Sequence, residues 1–171
     1  HTHTHTGRTD TTRNLDKTMS LSDAEQAKVT ELTTLGLPEA AAVKCAKAIT
    51  AGPNPTVKPC QVFGKMVVKE GADLEALKAA LKAYGDESAA APGQLGYSYG
   101  IEDKQLIMFE TFDSQNAMDI HVGHCFKHFV KMLPHCEMDT LIATCAPSEL
   151  EFWTVVCNSW GAKTAACYPA L

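Results

Sequence analysis

From residue 58 onward the apolar pattern alternates between period two and the helical period, and the order of that alternation constrains the fold more than anything else in the chain. "CQVFGKMVVKEG" reads as a strand. "ADLEALKAALKAYGDESAAAPG" carries Leu74, Leu77, Leu81 and Tyr84 at helical spacing. Next come "QLGYSYGIED" and "KQLIMFETFD", two strands joined by a polar turn at residues 102–104. "MDIHVGHCFKHFVKMLPHCE" is a second long helix and "EMDTLIATCAP" a fourth strand. Strand, helix, strand, strand, helix, strand is the split β-α-β order of a ferredoxin-like α+β fold. Both helices then cover one face of a four-stranded sheet. The other face is left apolar and calls for a partner.

The flanks read differently. Residues 20–52 predict a helical pair, in which Ser22 caps and Glu25 closes a capping box. Leu37-Pro38 ends the first helix and seeds the second, whose small face is Ala42, Val43, Ala46 and Ile49. A turn follows at residues 52–55. At the other end "SELEFWTVVCNSW" fits a strand or a short helix. Pro147, Ser148, Glu149 and Glu151 favour the helix, with an extended tail near "TAACYP". The opening "HTHTHTGRTDTTRNLDKT" has no apolar periodicity and precedes Met19, so it is expected to be a tag, a processed leader or a disordered tail. Metal affinity of His1, His3 and His5 would belong to that segment. The expected divisions are thus 1–18 leader, 19–56 helical extension, 57–147 ferredoxin-like domain and 148–171 C-terminal helix and tail.

Charge and cysteine usage narrow the function. Fifteen basic and twenty acidic residues give a net charge of -5, with no cationic cluster to dock a phosphate backbone, so no nucleic-acid partner is expected. No apolar run approaches the roughly 20 residues that span a bilayer, and the start lacks a secretory pattern. The expectation is a soluble chain with no membrane partner; the compartment stays open, the cytoplasm being favoured. Seven cysteines form an odd set with no Cys-x-x-Cys pair. Reduced, buried thiols are therefore expected, with one or two disulfides near the C-terminus as the alternative.

Four motifs in order resemble the antibiotic biosynthesis monooxygenase domains of the dimeric α+β barrel class. They are a glycine-ended first strand "MVVKEG", the step "APGQLGYSYG", the acid-and-aromatic strand "LIMFETF", and a helix opening with "NAMDIH". The resemblance covers roughly residues 60–146, and "APSELEFWTVV" resembles the C-terminal extension of some members. It implies a homodimer in which two sheets close a barrel, each subunit keeping a small-molecule pocket between sheet and helices. It further implies either cofactor-free oxidation of quinols and polyketide aromatics, haem degradation, or isomerisation; fold alone does not choose. The haem-degrading members place an asparagine and a tryptophan where this chain has residues near Gly64 and Phe112, which argues against haem degradation.

Within the second long helix, about 100° per residue places His121, His124, Cys125 and His128 on one ridge beside the apolar stripe of Met118, Val122, Phe126, Phe129 and Leu133. A ridge bordering the core is a pocket wall. His121 falls on the family's A-x-x-H position, which implies a pocket histidine. An imidazole of unperturbed pKa about 6.5 could take a proton from a quinol or enol near neutrality. Strand alternation puts Leu106, Met108, Glu110 and Phe112 on one face, where a carboxylate needs a partner. Tyr97 and Tyr99 share a strand face, as packing or as substrate contacts. The candidate set is therefore His121 and Glu110 as catalytic groups, with Tyr97, Tyr99, Met108, Phe112, His124, Cys125 and His128 around the ligand and no cofactor. A haem or metal binder using the ridge, with His121, His124 and His128 converging on the ion, is one alternative, and a non-catalytic binding or assembly protein on the same barrel is the other. Trp153 and Trp160 either fold over the pocket or pack on the barrel.

Overall fold

The computed structural model describes residues 20–54 and 59–170; the leader expected over 1–18 and the Pro55 end of the linker lie outside the described residues. Five helices and five strands follow one another as α1 (Asp23–Thr34), α2 (Glu39–Ala51), β1 (Cys60–Val68), α3 (Leu74–Ala90), β2 (Gln94–Glu102), β3 (Gln105–Phe112), α4 (Gln115–Met132), β4 (Cys136–Cys145), α5 (Leu150–Ser159) and β5 (Thr164–Pro169). The sheet order is β2-β3-β1-β4-β5. Its first four strands are the antiparallel ferredoxin-like set that the period changes predict.

Local chemistry sets the boundaries. Ser22 and Glu25 form the reciprocal capping box at α1. Pro38 stands at the N-cap of α2, and Asp73 and Ser114 cap α3 and α4 through their side chains. The β2–β3 hairpin turns through Asp103 and Lys104, both at positive φ (43° and 65°), the left-handed pair of a two-residue type I′ turn.

Two features go beyond the sequence expectation. "SELEFWTVVCNSW" is helical as expected, a 3-10 turn at Pro147–Glu149 leading into α5. The tail expected only to be extended is a fifth strand, β5, paired parallel to β4; α5 is the crossover that a parallel pair needs. Second, α4 is covered on two sides. The sheet and α3 take one side, while α2 lies so close on the other that a Cβ at Gly123 would fall 2.7 Å from Ile49 Cδ1 and 3.2 Å from Cys45 Cβ. Lys44 of α2 reaches the buried carboxylate of Asp119 at 3.3 Å and Glu149 at 2.8 Å. It thereby ties the N-terminal helices to α4 and to the start of α5.

The alternation on β3 is as the sequence implies: Leu106, Met108, Glu110 and Phe112 are buried under the helices, and Phe109 points the other way, 55% exposed. On that outer face Phe109 packs against Phe63, ring centroids 4.9 Å apart. No helix among the described residues is long and apolar enough to cross a membrane.

Candidate active site

The site is built where β3 hands over to α4. Asp113 and Ser114 make the turn, and the N–H of Asp113 donates to the Gly93 carbonyl at 2.9 Å. Gly93 has φ 79°, and a Cβ there would lie 2.5 Å from Ala117 Cβ and 2.7 Å from Asp113 Oδ1. Only glycine fits that junction. The short turn sets His121, two turns into α4, opposite Glu110, near the end of β3.

Both side chains are buried, His121 at 2% and Glu110 at 3% exposure, with Nε2 3.0 Å from Oε1. The carboxylate is the hub of a network. It accepts from the Tyr99 hydroxyl at 2.7 Å and from the Tyr84 hydroxyl at 3.3 Å, and Tyr84 Oη also lies 2.9 Å from His121 Nε2. Ser88 Oγ, 2.9 Å from Tyr99 Oη, extends the chain. The other imidazole nitrogen, Nδ1, meets only the thiol of Cys125, at 3.5 Å, a weak partner.

Burial and charge compete over these groups. Burial pushes the imidazole toward its neutral form, but the Glu110 charge beside it and hydrogen bonds to Cys125 and Glu110 outweigh it, raising the His121 pKa to about 10. Glu110 goes the other way: burial raises it, and the His121 charge with hydrogen bonds from His121, Tyr99 and Tyr84 brings it below the usual carboxylate value. Burial and the adjacent carboxylate hold the Tyr84 and Tyr99 hydroxyls well above theirs. Both shifts favour the charged forms of the pair, in contrast to the unperturbed imidazole expected from the sequence.

His121, Glu110, Met108, Phe112 and Cys125 line a cavity of about 60 Å³ between sheet and α4. Tyr84, Trp153 and Trp160 also line it. Tyr99 reaches the site through its hydrogen bond to Glu110 and its edge contact with Tyr84, and Tyr97, 46% exposed, stacks on Tyr99 at 5.3 Å. His124 and His128 turn away to Glu87 on α3, at 3.8 and 3.3 Å. The ridge of boundary histidines is thus corrected at two positions: His121 and Cys125 are core residues, because Tyr84 and Ser88 of α3 and Glu110 and Phe112 of β3 close over them. His121, His124 and His128 do not converge, and among the described residues no group of three or more His, Cys, Asp or Glu is arranged for a metal ion.

Tyr84 was missed as a site residue, although a hydroxyl at the end of the stripe Leu74, Leu77 and Leu81 was a signal that the helix meets something polar. Trp153 and Trp160 come from α5 and its C-cap and form the far wall. Their indole Nε1 atoms are buried without a hydrogen-bond partner among the described residues.

Neither a family model nor a curated protein matches the chain. Among solved structures it is similar to MupZ from Pseudomonas fluorescens, with a TM-score of 0.53 and 14% identity over 67% of this chain and 93% of that one. The likeness is one of fold. SnoaB, a cofactor-independent oxygenase from Streptomyces nogalater, matches at TM-score 0.45 and 9% identity over 51% of this chain and 91% of that one. A putative antibiotic biosynthesis monooxygenase from Chloroflexus aurantiacus J-10-fl matches at TM-score 0.41 and 19% identity over 52% and 92%. The latter two TM-scores lie below 0.5.

Proposed function

We propose that this chain is a cofactor-independent monooxygenase or isomerase acting on a small quinol-like or enolisable molecule, with His121 and Glu110 as its catalytic groups. The observation that carries the reading is a buried histidine whose Nε2 is committed to Glu110 and Tyr84 while Nδ1, among the described residues, has a thiol beside it, at the wall of an apolar cavity. An Nδ1–H in a desolvated site is a strong donor to an oxyanion. His121 therefore stabilises the enolate or quinolate oxygen of the substrate, and Glu110 keeps the imidazole charged and oriented. The unpartnered Trp153 and Trp160 N–H groups suit a second oxygen at the far wall. In oxygenation of an enolisable CH2 the substrate supplies all four electrons: CH2 and dioxygen become C=O and water. In isomerisation the Glu110 carboxylate on the cavity wall takes the proton from one carbon and returns it to the other, while the imidazolium holds the enolate oxygen.

The cavity's 60 Å³ is well under the ~150 Å³ of an apolar cavity that takes benzene. Ligand entry accordingly moves part of the wall, and the flexible side chains of Met108, Met118 and Met138 there can yield. The apolar outer face around Phe63 and Phe109 supports a homodimer closed across the sheets.

The test is dioxygen uptake and ultraviolet spectroscopy on a panel of quinols and β-dicarbonyls. His121→Asn should lower kcat/KM by about 10²-fold or more, the loss of one oxyanion donor, with unchanged circular dichroism. Full activity in a folded His121→Asn variant would remove the histidine from the chemistry. Sedimentation of the same preparation should give a dimer mass; a monomer would refute the barrel.

A further inference from the structure

Six of the seven cysteines are buried and one, Cys167, is partly exposed. Cys167 does not stand alone. In the parallel β4–β5 pairing it is the register partner of Ala143, and Cys145 lies two residues further along β4, on the same buried face as Ala143. The α5 helix packs over that face and brings down Cys157, 3% exposed, which lines the cavity together with Ala143. Three elements thus bring three sulfurs to one region, where the Cys157 and Cys145 thiols act on the Cys167 thiol. None of the three belongs to the proposed Glu110–His121 chemistry.

We infer that Cys167 and Cys157 are a peroxide-reactive thiol pair that closes to a disulfide joining β5 to α5. The partners are unequal in the way such chemistry requires. The hydrogen bond from Cys157 pulls the Cys167 thiol down to about 7 against burial, whereas Cys157 is raised by the same bond and by burial, and burial with the neighbouring Cys167 lifts Cys145 to about 12. The accessible sulfur is the thiolate, and the thiolate is the nucleophile. It attacks hydrogen peroxide: an S–O bond forms, the O–O bond breaks, and hydroxide leaves to be protonated to water, giving a sulfenic acid on Cys167. The Cys157 sulfur then attacks the sulfenic sulfur. An S–S bond forms, the S–O bond breaks, and hydroxide departs with the Cys157 proton as a second water. Two thiols and one peroxide become a disulfide and two waters, the sulfurs losing the two electrons that the peroxide gains. The bond fixes α5, and with it Trp153, against the sheet, so oxidation stiffens the cavity wall that ligand entry has to move.

The experiment treats the reduced full chain with one equivalent of hydrogen peroxide and maps it by mass spectrometry after trypsin and Glu-C digestion. Cleavage after Glu149 or Glu151 separates Cys145 from Cys157, and cleavage after Lys163 separates Cys157 from Cys167. The expected result is loss of two hydrogens, a Cys157–Cys167 cross-linked peptide, and its disappearance on reduction with dithiothreitol. Cys157→Ser should leave Cys167 as a sulfenic acid captured by dimedone, and Cys167→Ser should give neither product. A Cys145–Cys167 cross-link, no cross-link, or dimedone labelling that spares Cys167 in Cys157→Ser would each overturn the assignment. The Cys157→Ser labelling decides the matter should Cys167→Ser fail to fold.

Discussion

One helix, α4, makes carboxylate–imidazole contacts in two opposite surroundings. His121 meets Glu110 at 3.0 Å with both side chains almost wholly buried, while His128 and His124 meet Glu87 at 3.3 and 3.8 Å at the surface. Lys127 shares that outer carboxylate at 3.1 Å. The distances are similar, but the energetics are not. In the outer cluster burial raises Glu87, and the hydrogen bonds and charges of Lys127 and His128 bring it net below its usual value, while partial burial and the Lys28 charge hold His124 below its own. Water screens that cluster, so its charges contribute little. In the inner pair both the desolvation cost and the attraction are large, and each partner depends on the other. Burial, rather than contact length, separates the inner pair from the outer one.

Glu110→Leu should break this contrast hardest. It leaves His121, Tyr84 and Tyr99 without their acceptor, and urea unfolding should show a loss of about 3–5 kcal/mol. The double variant Glu110→Leu/His121→Leu should recover much of it, since no buried charge is left behind. A double variant as weak as the single one would mean that packing, and not the charge pair, sets the cost.

A pH series sharpens the comparison. The folded pKa of His121 is raised from 6.5 to about 10, so its stabilising share is complete below about 6.5 and disappears as pH rises through about 10. Glu110 is lowered, so its share is present above its unfolded value of 4.5 and lost as pH falls through its folded one. The urea midpoint should therefore decline from pH 6.5 to 10, more steeply in the wild type than in the double variant. Equal slopes would contradict a charged His121. The smallest effect belongs to the outer cluster: Glu87→Gln should change stability by less than about 1 kcal/mol, and a larger loss would show that this contact is not solvated after all.

The ferredoxin-like order was readable because its signals are local. Leu74, Leu77 and Tyr84 repeat at helical spacing, Leu106 to Phe112 alternates, and Ser22 with Glu25 announces a helix start. The meeting of Glu110 with His121 was also legible, since β3 and α4 are joined by two residues and a carboxylate on an apolar face demands a partner. What was not legible depends on elements distant in sequence. A helical wheel sees one stripe on α4, and it cannot know that Tyr84 and Ser88 of α3 will close over His121 and Cys125 and turn a boundary into a core. Trp153 and Trp160 could be read either over the pocket or on the barrel, and only the packing of α5 brings them to a cavity begun about 90 residues earlier at Val62. "TAACYP" is too short and too weakly alternating to announce a fifth strand, and only its pairing with β4 makes it one.

That pairing also decides how the sheet ends. With β5 in place, the long strand β4 no longer offers a free row of backbone N–H and C=O groups. The terminal strand on that side is six residues long and closes on Pro169, which has no N–H to donate. Intermolecular strand addition, the opening step of cross-β aggregation, is blunted there. The hazard concentrates on β2, where Gly96 and Gly100 interrupt the strand and provide no side chains to hold an incoming one in register.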